Sequence, residues 1–319
     1  MAERDWIRRY FAPLACSQGA AGLTDDTAEL YPASGPTVIT TDAMVEGVHF
    51  LATDPIDTVA RKLVRVNVSD ILSSGAMPSE ALLTLGWPAD RPETELATFA
   101  AALGEELGAW IAGLIGGDTV SSPAGLFLSL TMTGRCLGTK PVRRSGAKAE
   151  DDLWVTGEIG GARRGFLARA AGEASPWIGV LHAPDLPPLA AAGLLARHAT
   201  AAMDVSDGLL GDARSLAEAS GVGAEIDFES VPFAGGAANL AEMIDLGTWG
   251  DDYQLLFTAP PDAREELLLE AAQQGIRMSR IGQIQAEPGL FVTSESGPVN
   301  LPETVAFEHG RIGMPATRP

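Results

Sequence analysis

The chain has 319 residues, 42 of them acidic against 22 basic, for a formal net charge of −20. A surface of that sign repels nucleic acid and anionic lipid and excludes both as partners, whereas a small anionic substrate stays open if bound cations reverse the local sign. Hydrophobic residues at 46% and charged residues at 20% make an ordinary globular balance, and the length predicts two domains. Cys16 and Cys136 form neither a disulfide framework nor a zinc signature. His49, His182, His198 and His309 show no HExxH spacing. The opening MAERDWIRRYF has no apolar core of a signal peptide, and the uncharged stretch 119–134 is broken by Pro123 and Gly125. A cytoplasmic protein is expected.

Along the chain, Trp6, Ile7, Tyr10 and Phe11 fall at helical spacing and predict a short opening helix. A strand begins TVITTDAMVEGVHF (37–50), with Thr40, Thr41 and Asp42 at its end. A helix from Asp57 to Gly75 is apolar on nearly every side, through Val59, Leu63, Val64, Val66, Val68, Ile71 and Leu72, and so should be buried. It nevertheless carries Lys62, Asn67 and Asp70. Leu82–Trp87 reads as a strand. Leu96, Phe99, Ala100, Leu103, Leu107 and Leu114 mark a long amphipathic helix running into LIGGDT. Leu128, Leu130 and Met132 alternate with Ser129, Thr131 and Thr133 as in a half-buried strand. The polar, basic stretch 138–152 carries a domain boundary, giving domains at 1–139 and 140–319.

The second half opens with the strand LWVTG (153–157) and a glycine-rich turn into a helix. After a Pro-rich connection at 184–188, AAMDVSDGLLGDARSLAEASG joins a short strand to a helix that Gly221 should cap. AEIDF (224–228), YQLLFTA (253–259) and a late Gly/Phe/Val segment supply more strands. Interleaved strands and helices in both halves predict a two-domain fold of mixed α+β and α/β class.

GEIGG and GGARRG (157–165) look like phosphate loops but lack the GxxxxGK[ST] wording, and a tight strand-to-helix turn explains them. No GxSxG elbow and no kinase HRD…DFG set is present. What remains is a series of acidic turns: TDDTA, TTDAMVEGVHF, NVSD, GGDT, DVSDG and GDDYQ. Each alone is an ordinary Asp-rich turn. Asp70 is the exception, because a carboxylate within an apolar helix is costly unless it is paired or bound to a metal. Oxygen donors from Asp, Thr and Ser, without His or Cys, suit magnesium rather than zinc or copper. A single magnesium ion beside phosphates needs only one or two carboxylates, so this many imply several ions and phosphates to share them.

In order and wording these motifs resemble the thiamine-monophosphate kinase family, within the aminoimidazole-ribonucleotide synthetase-like superfamily. The resemblance runs from RDWIRRYF to the AFEH near the end. It implies an N-terminal ATP- and magnesium-binding α+β domain, whose sheet pairs with that of a second subunit in a homodimer, and a C-terminal α/β domain. It assigns magnesium to Asp26, Thr40, Thr41, Asp42, Asp70, Asp118, Asp204 and Asp207, with Asp70 and Asp207 bridging ions. It assigns ATP to Gly117, Asp118, Arg144 and Ser206, and the thiamine phosphate to His49, Asp251 and Phe307. The wording departs at WGDDYQL, where the family commonly has GGEDYEL: Asp251 stands for Glu, Trp249 for Gly and Gln254 for Glu. Thr24 also stands where Gly is usual.

The implied reaction passes the γ-phosphoryl group of ATP to the phosphate of thiamine monophosphate, as the last step of thiamine diphosphate synthesis. An acceptor oxygen already ionised near pH 7 needs no general base, consistent with the missing catalytic His. The substrate's thiazolium cation is expected near Phe307 or Trp249, a contact worth about 0.5–2 kcal/mol. Two other readings stay open at this point: a non-catalytic sensor of thiamine phosphate or nucleotide, and another ATP-dependent synthetase of the superfamily.

Overall fold

The computed structural model describes residues 3–25, 27–31 and 35–306. The chain divides into two compact units, one drawn from Met1–Ile71 and Met77–Arg135, the other from Leu72–Ala76 and Cys136–His309.

The first unit begins with helix α1 (Glu3–Trp6), which continues as a π-helical turn over Ile7–Phe11. Strand β1 (Thr37–Val45), helix α2 (Ile56–Ser73), strand β2 (Ala76–Pro88), helix α3 (Glu93–Ala109) and strands β3 (Gly113–Ser122) and β4 (Phe127–Cys136) come next. The four strands form one sheet in the order β1-β4-β2-β3. β1 and β4 are antiparallel, while β2 and β3 are parallel and joined through α3. The apolar stripes explain the layering. Val59, Leu63, Val64, Val66, Val68, Ile71 and Leu72 of α2 are all buried, as are Leu96, Phe99 and Leu103 of α3. They meet one face of the sheet, where Met44, Leu128, Leu130 and Met132 point inward and Trp87 packs edge-on against Phe99 at 6.2 Å. Ile71 comes so close to Gly134 that a side chain there would lie 2.4 Å from it.

Two sequence expectations need correcting in this unit. The long helix stops at Ala109 rather than running through Leu114, which belongs to β3. The chain reverses at Ile111, which takes φ +59°, and a helix cannot pass through that conformation. β1 also continues to Val45, so Thr40, Thr41 and Asp42 lie within the strand and not at its end.

The second unit is built on a seven-stranded sheet. In chain order its elements are β5 (Asp152–Thr156), α4 (Gly161–Ala171), α5 (Trp177–His182), α6 (Ala190–His198), β6 (Ala201–Asp204), α7 (Leu209–Ser220), β7 (Gly223–Asp227), α8 (Leu240–Trp249), β8 (Leu255–Ala259), α9 (Arg264–Gln273), β9 (Met278–Gln285), β10 (Gly289–Ser294) and β11 (Gly297–Pro298). The strand order is β11-β10-β7-β9-β5-β8-β6. β7 and β10 pair in parallel, and the remaining neighbours run antiparallel. The core is a continuous cluster in which Leu153 and Val155 of β5, Met203 of β6, Leu209, Leu210 and Leu216 of α7, Leu256 of β8 and Ile281 of β9 all take part. Gly221 caps α7 at φ +69°, as its sequence position predicts. At α8, Asn239 accepts the Glu242 N–H at 3.0 Å, while the Glu242 carboxylate accepts the Ala238 N–H, a reciprocal N-terminal cap.

Candidate active site

Successive side chains of a strand point to opposite faces. Of the three candidate ligands on β1, Thr40 and Asp42 face α2. The Thr40 hydroxyl donates to Asp70 Oδ2 at 2.5 Å, and the Asp42 N–H donates to Asn67 Oδ1 at 3.2 Å. Thr41 faces the other way, where its hydroxyl lies 3.0 Å from that of Thr131 and 3.3 Å from that of Ser129. The sheet therefore brings Thr40, Asp42 and Asp70 together and separates the Thr41 side chain from them. Asp70 itself is half-buried rather than enclosed, because it lies at the edge of α2 that meets β1.

This group is electrostatically unbalanced. Burial, then the nearby charge of Asp70, pushes the Asp42 carboxyl up to about 6. Asp152 shows the opposite arrangement. It is fully buried, yet it accepts from Arg264 at 2.8 Å and from Arg280 at 2.5 Å. Burial alone would raise its pKa, but the two guanidinium groups outweigh burial and hold the carboxyl below its ordinary range. Asp42 and Asp70 put two carboxylates side by side, with a hydroxyl between β1 and α2. That donor set, all hard oxygen, fits a divalent cation such as magnesium. Among the described residues, no group of three or more His, Cys, Asp or Glu side chains stands close enough to hold a metal on its own.

His49 sits in the turn after β1. The Val45 N–H donates to its Nδ1 at 3.0 Å, so Nδ1 is an acceptor and the proton of the neutral ring lies on Nε2. Gly117 and Asp118 lie in the middle of β3. At Gly117 (φ +156°) a Cβ would fall 1.9 Å from the Leu83 carbonyl oxygen, so no larger residue fits. Both residues help line a cavity of about 740 Å³ on the uncovered face of the sheet, together with Asp25, Ile39, Leu82 and Thr119. Asp26 lies outside the described residues.

In the second unit the acidic motifs occupy two loops that are hydrogen-bonded to each other. Asp204 ends β6, followed by Val205, Ser206 and Asp207; Gly250 to Gln254 link α8 to β8. The Asp251 N–H donates to the Ser206 carbonyl at 2.9 Å, and the Tyr253 N–H to that of Val205 at 2.8 Å. In return, Val205 donates to the Gln254 carbonyl at 2.8 Å. Asp204, Ser206, Asp207 and Asp251 thus belong to one local structure. Asp204 is buried and the other three are half-buried. Arg144 is exposed, and its positive charge acts on Asp212. Phe307 lies outside the described residues.

Two carboxylates missed by the sequence reading hold this structure. Asp212, in the first turn of α7, accepts the N–H groups of Asp207 at 3.1 Å and Gly208 at 3.2 Å. Its burial, and then the charge of Asp207, push its carboxyl up to about 7. Asp252, the neighbour of Asp251, is buried and accepts from the Gly160 N–H at 2.8 Å and the Ala162 N–H at 3.4 Å. Burial pushes it up to about 7 as well. The glycine-rich turn at 157–165 is therefore a helix N-terminus that binds a carboxylate of its own chain. An Asp in the first turn of a helix was the available signal for Asp212; nothing in the sequence distinguishes Asp252 from Asp251.

The Gln254 substitution also has a structural reading. Its Oε1 accepts from Thr156 Oγ1 at 2.9 Å, while its Nε2 donates to the Asp185 carbonyl. An ionised Glu has no proton for the second bond.

Comparison with known proteins adds to this geometry. The N-terminal domain of the AIR synthase related protein family matches residues 24–136, and its C-terminal domain matches residues 148–295. A thiamine-monophosphate kinase from Caulobacter vibrioides is 35% identical over 97% of this chain and 91% of its own length. Among solved structures, the thiamine-monophosphate kinase of Stenotrophomonas maltophilia superposes with a TM-score of 0.77 at 31% identity, covering 85% of this chain and 89% of that one. AaThiL complexed with AMPPCP and TMP superposes with a TM-score of 0.76 at 28% identity, over 90% of this chain and 91% of that one.

Proposed function

We propose that this chain, which belongs to the thiamine-monophosphate kinase family of AIR-synthase-related proteins, transfers the γ-phosphoryl group of ATP to the phosphate of thiamine monophosphate, yielding thiamine diphosphate and ADP. The observation that carries the reading is the likeness to a named kinase over nearly the full length of both chains. A structure holding AMPPCP and TMP on the same fold supports ATP as the phosphoryl donor.

The chemistry asks little covalent work of the protein. The attacking phosphate oxygen is ionised at neutral pH, so the barrier is repulsion between two polyanions and the alignment of donor and acceptor. In the first unit, Thr40, Asp42 and Asp70 on one face of the sheet, and Thr41 and Asp118 on the other, would hold magnesium ions together with Asp26; in the second, Asp204 and Asp207 would do the same. Magnesium, when bound, supplies charge screening and stabilises an in-line transition state. Arg144 offers a fork for phosphate oxygens, and the Ser206 hydroxyl and the Gly117–Asp118 segment engage the nucleotide. His49, with a proton on Nε2, donates to the acceptor phosphate. Asp251 and Phe307 hold the thiamine side. The loops stay in place because Asp212 and Asp252 satisfy the backbone N–H groups on which they are built.

A homodimer belongs to the same proposal. The sheet face opposite α2 and α3 carries Ile39, which is 68% exposed, with Val45, Leu82 and Phe127 also exposed. A second copy covering that face with its own sheet would bury them; light scattering of the purified protein, with Ile39→Lys as the disrupting variant, tests it. A cytoplasmic location is part of the reading and accords with two free thiols.

The experiment is a coupled ADP-release assay with ATP, magnesium and thiamine monophosphate, with free thiamine as the control acceptor. Turnover that needs thiamine monophosphate and stops with EDTA is the expected result. Binding of both ligands without thiamine diphosphate would instead make the chain a sensor.

A further inference from the structure

Trp249 ends α8 immediately before the Gly250–Gln254 loop, where the family commonly has glycine. Its indole lies 4.8 Å from the ring of Phe166, and the Arg163 guanidinium sits 4.1 Å from its centroid. Arg163 also closes a two-pronged bond on Asp245, with Nε to Oδ2 and Nη2 to Oδ1 both at 2.9 Å. Arg163 and Phe166 belong to α4, while Asp245 and Trp249 lie one turn apart on α8. The two helices are therefore joined by side chains at the point where the main chain leaves α8.

Beyond Trp249 the backbone is conformationally costly. Gly250, Asp251 and Tyr253 take φ of +84°, +67° and +51°. Two of these are not glycine, and such residues persist only where their surroundings over-determine them. A Cβ on Gly250 would lie 2.4 Å from the Ser206 carbonyl oxygen, so at this point the two loops touch backbone to backbone. Their registration depends on where α8 releases the chain.

We infer that Trp249, Arg163 and Asp245 form a positioning cluster that fixes the Gly250–Gln254 loop against the Asp204–Asp207 loop, and so aims Asp251 at the thiamine side of the substrate. The geometry also argues against the indole as a platform for the thiazolium ring, because a guanidinium already covers one of its faces and the Phe166 ring packs against it. An aspartate, one methylene shorter than glutamate, tolerates less error in the direction of its backbone, and the cluster supplies that direction.

The inference rests on the reading of Asp251 as a substrate-side residue, and its test has one arm that needs no activity. Hydrogen exchange is followed at the amides of Asp251 and Tyr253, which donate to the facing loop. Trp249→Gly is expected to lose protection there while the amides of β8 stay protected, and Trp249→Phe to restore it. In the kinetic arm, Trp249→Gly should raise the KM for thiamine monophosphate about tenfold and leave that for ATP within about twofold. In an Asp251→Asn background the same change should add less than about twofold, because both act through one contact. Unchanged exchange at Asp251 and Tyr253 would overturn the inference, as would a Trp249→Gly effect that persists in full without the Asp251 carboxylate. A wild-type protein that turns over no thiamine monophosphate refutes the kinase reading instead, and leaves the exchange result to decide the positioning role.

Discussion

The two units carry their acidic residues in contrasting ways. In the first, Asp42 rides inside a strand and Asp70 on the last turn of a helix, so ordinary secondary structure sets their separation. In the second, Asp204 ends a strand and Asp207 and Asp251 sit on the irregular loops that follow β6 and α8, where buried carboxylates take the place of regular structure by binding backbone N–H groups. The contrast teaches where each half is vulnerable. The first can lose its charge and keep its shape; the second depends on side chains that bind its own backbone.

The largest expected effect tests the first half of that contrast. Asp70→Asn keeps the Thr40 contact geometrically available and removes one charge. Turnover should fall by at least about a thousandfold with the thermal midpoint little changed. Near-normal turnover with magnesium would break the shared-cation account. Next in size is Asp212→Ala, which strands the N–H groups of Asp207 and Gly208. An unsatisfied buried donor costs about 1–3 kcal/mol, so both stability and turnover should drop, and Asp212→Asn should recover part of each. Equal behaviour of the Ala and Asn variants in thermal melts would show that Asp212 is not a strut.

A subtler difference lies in pH dependence. The Asp252 carboxyl is raised from 3.8 to about 7 in the folded protein. Folded chains therefore hold a proton there that unfolded chains have released. The stability this confers is full below about pH 4 and is lost as the pH rises through about 7. Asp252→Asn should flatten that part of the wild-type curve of denaturant midpoint against pH; an unchanged slope would exclude Asp252 as its source. The smallest expected effect is that of Asp251→Glu, which restores the side chain common in the family. At φ +67° the shorter Asp is better tolerated than Glu, so the change should cost about 1 kcal/mol or less of stability and alter the KM for thiamine monophosphate by only a few-fold. A gain in stability would show that backbone strain does not explain the Asp.

Much of the first unit was legible in the sequence. The alternation of Leu128, Leu130 and Met132 gave β4, and the all-round apolar surface of 57–75 gave α2, because both patterns are set by local periodicity. Thr41 was less legible. Three oxygen donors in a row look like one ligand set until the pleat divides them between faces. Strand order in the seven-stranded sheet depends on pairings distant in sequence, such as β5 with β9, and no local pattern encodes it. The sequence suggests Trp249 as a neighbour of the thiazolium cation, and only the third dimension reveals Arg163 against its ring. Asp252 is illegible for a related reason: its partners are backbone amides, which every residue but proline possesses and no letter of the sequence announces; Asp212 shows in the sequence only through its place in the first turn of a helix.

The division of β1 between two faces has a further consequence, one of parity. Inserting a single residue between Val38 and Thr40, with the strand held in place, would turn Thr41 toward α2 and carry Asp42 to the open side of the sheet. Inserting two would restore both assignments at the cost of a shift along the strand. In this stretch an odd change in length exchanges the roles of neighbouring residues, whereas an even one merely displaces them.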